Sequence, residues 1–285
     1  MQARLGERLA HRSSHARRRW VMGELQGVPD TLFVPLAARI RVSRRFPEYF
    51  HDQTALSREG SIPGDAALTA SEYGRIASVA RYRSVDRMTR AFVAERGRCH
   101  IINLGAGLET AAFRLADLDA KFYEVDLPEV IAARSTVIPQ GPNEVLVGGD
   151  VLTLGWASYL DPATPSLFVA LGLLQYFHRE EVIGLISGLH DRLPGSELIF
   201  DATSRAGLRR ANRRGRMTNG TAAPMHFYVN DAEALARACG GELVEQRSFL
   251  GEARTILGKR LRLSTRLALT VADRCRHATI IHLTL

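Results

Sequence analysis

The stretch His100–Asp126, HIINLGAGLETAAFRLADLDAKFYEVD, decides the fold. It opens with His100–Leu104, an apolar run of strand length and β-branched character. A glycine turn follows, Gly105-Ala106-Gly107, then a helical stretch. A second strand, Lys121–Val125, ends on the carboxylate of Asp126. A strand–glycine loop–helix–strand–acid unit has a physical meaning. The glycines let a ligand approach the backbone, the helix start offers free N–H groups, and an acid about 20 residues on can hold ribose hydroxyls. The unit therefore reads as a site for a nucleoside cofactor.

Outward from this unit, strand and helix patterns alternate. Leu127–Val137 reads as a helix with Pro128 in its first turn, a favourable place for proline. Glu144–Val147, Ser166–Leu171 and Glu197–Phe200 read as further strands, with a helix at Glu180–Leu193. Asp231–Cys239 reads as a helix, Glu242–Phe249 as a sixth strand, Glu252–Arg276 as one or two basic helices, and Ala278–Leu283 as a last strand. Such alternation predicts an α/β fold with a largely parallel sheet covered by helices. Before it, Asp30–Phe46 and Leu68–Arg96 carry helical periodicity, and Pro47–Gly64 reads as irregular. We divide the chain into an N-terminal helical arm and cap, residues 1–95, and a core, residues 96–285.

Composition excludes several classes. The chain has 285 residues, 46% hydrophobic and 24% charged, as in an ordinary globular protein. No apolar run reaches the roughly 18 residues of a membrane helix. The Arg-rich start, Met1–Trp20, lacks the apolar core of a secretory signal and reads as a frayed arm. Cys99, Cys239 and Cys275 show no metal spacing, so reduced thiols in a cytoplasmic protein are expected and no metal site is. The net charge of +8 invites a nucleic-acid reading, yet 36 of 38 basic residues are Arg, and the aromatic–basic interleaving of RNA binders is missing. Nucleic acid and membrane are therefore not the expected partners.

The cofactor can be narrowed further. A dinucleotide fingerprint needs a third glycine at 110, where Thr110 stands. A GxG turn followed by an acidic strand end suits S-adenosylmethionine (SAM) better. Four segments then carry a resemblance: FVPLAAR at 33–39, NLGAGLETAAFRL at 103–115, FYEVDLPEV at 122–130 and ALGLLQYF at 170–177. Together they resemble the leucine carboxyl methyltransferase-like family, which includes polyketide O-methyltransferases.

The resemblance implies a class I, Rossmann-like methyltransferase fold, a seven-stranded sheet whose last strand is antiparallel, with helices on both faces and an N-terminal helical cap. It implies SAM as cofactor and S-adenosylhomocysteine as product. Gly105 and Gly107 would lie under the methionyl part, Asp126 would bind the ribose, and Asp150 with the Val151 N–H would meet the adenine edge. Arg81 would grip the methionyl carboxylate, a pairing that suits a guanidinium fork. Three departures stand out. The family's usual Asp and Arg are Glu109 and Ala111 here. Its usual acid at the end of the fourth strand, expected to face the cofactor ammonium, is Leu171, and Glu109 is the carboxylate at hand to replace it. Leu152 stands where the branch acting on a protein carboxyl terminus has Arg, which points to a small molecule instead.

The expected function is a SAM-dependent O-methyltransferase in natural-product biosynthesis, acting on a carboxyl or hydroxyl of a small, polyketide-like and acidic substrate. Tyr176 and His226 are the candidate catalytic residues, because they follow the fourth and fifth strands at the edge where α/β proteins bind ligands. The alternative for Tyr176 is a packed anchor, and for His226 an exposed turn residue. His178 could cap the next helix. Ser204–Arg216, with six Arg and no acid, reads as an Arg-rich loop, either a solvated face or a lid hinged at Gly207 and Gly215. Two other functions stay open: a SAM-binding enzyme that catalyses a cyclisation or rearrangement, and a basic SAM-responsive nucleic-acid module. Oligomeric state is open, a homodimer included.

Overall fold

The carboxyl ends of five parallel strands lie along one edge of a central sheet. The structure is a computed structural model that describes residues 32–62, 70–217 and 223–285. The arm at Met1–Trp20 lies outside the described residues. Among the described residues, three α-helices come first: α1 (Phe33–Arg45), the short α2 (Gln53–Ser57) and α3 (Glu72–Arg96). Then follow β1 (Cys99–Leu104), the single-turn α4 (Ala111–Arg114), β2 (Ala120–Asp126), α5 (Pro128–Val137), β3 (Glu144–Gly148) and β4 (Ser166–Ala170). The rest is α6 (Arg179–Arg192), β5 (Glu197–Ala202), α7 (Arg205–Met217), α8 (Ala232–Ala238), β6 (Glu242–Arg247), α9 (Leu250–Leu257), α10 (Leu263–Arg274) and β7 (Thr279–Thr284).

The seven strands run in the order β3-β2-β1-β4-β5-β7-β6. The first five are parallel, and β7 inserts antiparallel between β5 and β6. This is the seven-stranded arrangement, with β7 antiparallel, that the resemblance implies. The order reverses between β1 and β4, and ligands bind at the carboxyl edge of such a switch point.

Alternation along the strands feeds two cores. Ile101, Phe122, Leu167, Val169 and Ile199 pack on α3, α9 and α10. Ile102, Tyr123, Val125, Phe168 and Phe200 pack on α6 and α8. With both faces covered, β1 and β4 are buried throughout, which is why their sequences are apolar runs and not alternating ones. The Ser71 side chain caps α3, accepting from the Gly74 N–H at 3.1 Å, and Gly97 at φ +73° ends it. In between, Val79, Val85, Met88 and Phe92 lay α3 on the sheet, so the helical portion expected before residue 96 shares the core that follows it.

Two expectations need correction. Pro47–Gly64 contains a helix, α2, because the Asp52 carboxylate caps it by accepting from the Ala55 N–H at 2.8 Å. The Arg-rich segment expected as a loop is the helix α7. The Ser204 hydroxyl accepts from the Gly207 N–H at 3.2 Å at its start, while Arg205, Arg209 and Arg213 lie exposed four residues apart. Gly207, offered as a hinge, lies in the first turn of this helix. A Cβ there would lie 2.2 Å from Thr203 Oγ1 and 3.0 Å from the His277 carbonyl oxygen. The missing side chain seats the root of α7 against the start of β7. Gly207→Ala should therefore cost about 1–3 kcal/mol through overpacking. A thermal melt should show a midpoint several degrees lower, and an unchanged midpoint would contradict this reason for the glycine.

Candidate functional site

Gly105 and Gly107 both take left-handed backbone, φ +63° and +50°, which a side chain would strain. A Cβ would also lie 2.7 Å from Leu173 Cδ1 at Gly105 and 2.9 Å from Leu32 Cδ1 at Gly107. The Gly107 N–H donates to Asp126 Oδ2 at 2.8 Å, and the Leu127 N–H to Oδ1 at 2.8 Å. One carboxylate thus ties the turn after β1 to the end of β2. Burial raises the Asp126 pKa, and the two N–H groups oppose that rise. Each oxygen keeps a second acceptor position.

Three buried guanidiniums brace the same turn. Arg134 of α5 donates to the Gly107 carbonyl at 3.0 Å and pairs with the buried Glu144. Arg39 of α1 donates to the Leu108 carbonyl and pairs with Glu109 and Asp52, each at 3.3 Å. Arg114 of α4 reaches Glu109 at 2.8 Å and grips Asp86 of α3 bidentately, at 2.9 and 2.8 Å. Burial alone would raise the Glu109 pKa, but Arg114 and Arg39 outweigh it and bring the carboxyl down to about 2. Glu109 is therefore committed to the network and not free to replace the acid expected at 171. Leu171 and Ala111 line one small internal void together with Asn103 and Arg114.

At β3, Asp150 is exposed and its Oδ1 accepts from the Leu152 N–H at 2.9 Å, while Val151 is buried. Across the edge, Arg81 of α3 donates to Asp201 Oδ2 at 2.7 Å, and Asp201 Oδ1 accepts from the Gly172 N–H at 2.6 Å. Burial works against the Arg81 charge, but Asp201 more than restores it, leaving its pKa above the ordinary value. Arg81 Nε is buried with no hydrogen-bond partner.

Beyond this pair opens a cleft of about 750 Å³ between α3, α7, α10 and the end of β5. Arg81, Asp201 and Gln175 contribute polar groups, Leu267 and Val271 an apolar wall, and Arg210 a cation. Tyr176 and His226 do not line it; both are exposed, and their chain neighbours Gln175 and Met225 do line it. His226 stacks on His178, with ring centroids 4.4 Å apart, and its N–H donates to the Gln175 carbonyl at 2.7 Å. His178 caps α6, its backbone N–H donating to Glu181 at 2.7 Å. Among the described residues, no group of three His, Cys, Asp or Glu is placed to hold a metal, and no helix is long and apolar enough to cross a membrane.

The family model for leucine carboxyl methyltransferase matches residues 35–190 of this chain, more than half of its length. The chain belongs to the leucine carboxyl methyltransferase family. It is a SAM-dependent methyltransferase. Among its relatives is the tetracenomycin polyketide synthesis O-methyltransferase TcmP of Streptomyces glaucescens, 29% identical over 247 residues, covering 82% of this chain and 91% of that one. Leucine carboxyl methyltransferase 1 of Candida albicans is 28% identical over 102 residues, 35% of this chain and 28% of that one. Two solved methyltransferases share the fold. Magnesium protoporphyrin IX methyltransferase of Synechocystis with bound S-adenosylhomocysteine has a TM-score of 0.50 at 16% identity, covering 81% of this chain and 94% of that one. An S-adenosylmethionine-dependent methyltransferase of Mesorhizobium loti has a TM-score of 0.51 at 16% identity, covering 70% and 96%.

The methyltransferase edge fits its cofactor on its own geometry. A left-handed glycine turn, a strand-end carboxylate with acceptor positions to spare and a buried Arg Nε without a partner are the groups an adenosyl amino acid calls for. Sequence reading missed Arg39, Asp52 and Arg134. Arg39 and Arg134 fall among the buried positions of α1 and α5, a signal of burial though not of partner.

Beneath the turn, Glu124 of β2 is fully buried. Asn103 donates to its Oε1 at 3.0 Å, and Oε2 has no partner. Burial pushes its pKa up to about 8, so the group is mainly neutral at neutral pH. The folded value lies above the ordinary 4.5, so this stability is complete below the ordinary value and is lost as pH rises through the folded one. Glu124→Gln, which keeps the acceptor for Asn103, should gain midpoint over the wild type as pH rises from about 5 to about 9. Parallel melting curves across that range would refute the assignment.

Proposed function

We propose that this chain is a cytoplasmic O-methyltransferase acting on the carboxyl or hydroxyl group of a small, polyketide-like natural product. The cleft beside Arg81 and Asp201 carries the reading. Its size is that of a small-molecule pocket, and it combines an apolar wall with a few polar groups. The relationship to TcmP over most of both chains points the same way.

In this reading Asp126 accepts the ribose hydroxyls, Asp150 and the Val151 N–H meet the adenine edge, Gly105 and Gly107 lie under the methionyl part, and Arg81 takes its carboxylate. SAM, when bound, supplies a methyl group already activated on a sulfonium. The protein's own contribution is then mainly proximity and orientation. A carboxylate acceptor needs no base. The apolar faces of Leu267 and Val271 would hold its ring system, and Arg210 would attract its charge. For a hydroxyl acceptor, His226 and Tyr176 are the flanking groups with acid–base chemistry, and His277 is the histidine in the wall of the cleft.

Calorimetry with SAM and S-adenosylhomocysteine should show binding of both. Asp126→Ala should weaken it about tenfold to a hundredfold, the worth of a charged hydrogen-bond acceptor. Incubation with aromatic carboxylic acids and phenols should yield a product heavier by about 14 Da, the mass of a transferred methyl less a proton. Failure to bind either nucleoside, or a product of unchanged mass, overturns the reading.

A further inference from the structure

The carboxylates at this edge can be accounted for one by one. Asp126 closes the glycine turn and faces the ribose position. Asp150 closes the turn after β3. Glu109 is consumed by Arg39 and Arg114, and position 171, beside Gly172, is a leucine. Asp201 is left. It lies at the end of β5, next to β4, and its Oδ1 holds the N–H of Gly172, whose left-handed backbone, φ +73°, brings the turn close. Its Oδ2 holds Arg81. Both side chains are largely buried, 13% and 16% exposed, and the Arg81 Nε is unpartnered.

A cation and an anion locked side by side, with donor and acceptor positions to spare, match the charge pattern of an amino-acid zwitterion. The guanidinium can take a carboxylate on its free Nε edge, and the carboxylate can take an ammonium on its second lone pairs. Gly172 matters here, because a Cβ would lie 3.3 Å from Arg81 Nη1 and crowd the guanidinium. We propose that Asp201 receives the α-ammonium of the cofactor's amino-acid end, so that the Arg81–Asp201 pair is a zwitterion clamp replacing the missing acid at Leu171. This rests on the SAM reading above. Because the same pair borders the acceptor cleft, the clamp also forms the wall between cofactor and acceptor.

Asp201→Asn tests it, since the amide oxygen can still accept from Gly172 while the charge is removed. Three probes are titrated calorimetrically: S-adenosylhomocysteine, its analogue lacking the α-ammonium, and 5′-methylthioadenosine, which lacks the whole amino-acid end. The wild type should bind S-adenosylhomocysteine at least about tenfold tighter than the deaminated analogue. The variant should lose that preference, and its affinity for the other two probes should stay within about twofold. Equal weakening of the deaminated analogue would mean that Asp201 only positions Arg81, and an unchanged preference would mean that it does not touch the ammonium. Either result overturns the clamp and leaves the SAM reading intact. A folded wild type that binds none of the probes overturns both.

Discussion

The glycine turn after β1 holds its shape because buried guanidiniums grip its carbonyls. Arg134 takes the Gly107 carbonyl and Arg39 takes that of Leu108, while Arg39 and Arg114 share the carboxylate of the next residue, Glu109. Ion pairs so deeply buried add little net stability, because desolvation offsets most of the attraction. Their effect is positional. Removing any one charge strands its partner in a dry interior, so the arrangement exists as a whole or not at all. The turn's own N–H groups are engaged elsewhere, that of Ala106 with the Val125 carbonyl and that of Gly107 with Asp126, so its carbonyls are held from the other side by side chains.

The same network explains why the first helices belong to the site. Arg39 comes from α1, Asp52 from the cap of α2 and Asp86 from α3, and all three converge on Arg114 or on its neighbour Glu109. Tyr82 of α3 lies under two of these cations, 4.8 Å from Arg39 and 5.5 Å from Arg114. The same helix also delivers Arg81 to Asp201 near the end of β5. The N-terminal helices therefore reach both the glycine turn and the end of β5.

Much of this was legible in the sequence. The β1–Gly105–Gly107–Asp126 unit announces itself because strand periodicity, left-handed turns and a strand-end acid each leave a local mark. A parallel sheet followed from alternation, and His178 was readable as a helix cap. Other features leave no local mark of their partners. Arg39 and Asp52 pair with Glu109 and Arg114 across about 60 residues of chain or more, and an Arg among the buried positions of a helix does not say what it will meet. Asp201, at the end of a strand, gives no local sign of its partners, because Arg81 and Gly172 lie on two other elements. Six Arg in a row of polar residues suggested a loop. The helix forms instead because Ser204 caps its start and Gly207 lets it sit close.

The root of α7 is seated against the backbone of His277, and a second attachment lies two turns on. There the Asn212 side chain accepts from the Met225 N–H and donates to the Met225 carbonyl, at 2.9 and 2.8 Å, as a neighbouring strand would. The helix is tied at both of these points, so the α7 side of the cleft is the braced one. Bulkier ring systems would be admitted more readily by trimming the α10 side, where Leu267 and Val271 stand exposed. Selectivity among acceptors of different girth would then evolve on α10, apart from the glycine turn and the strand-end carboxylate of Asp126.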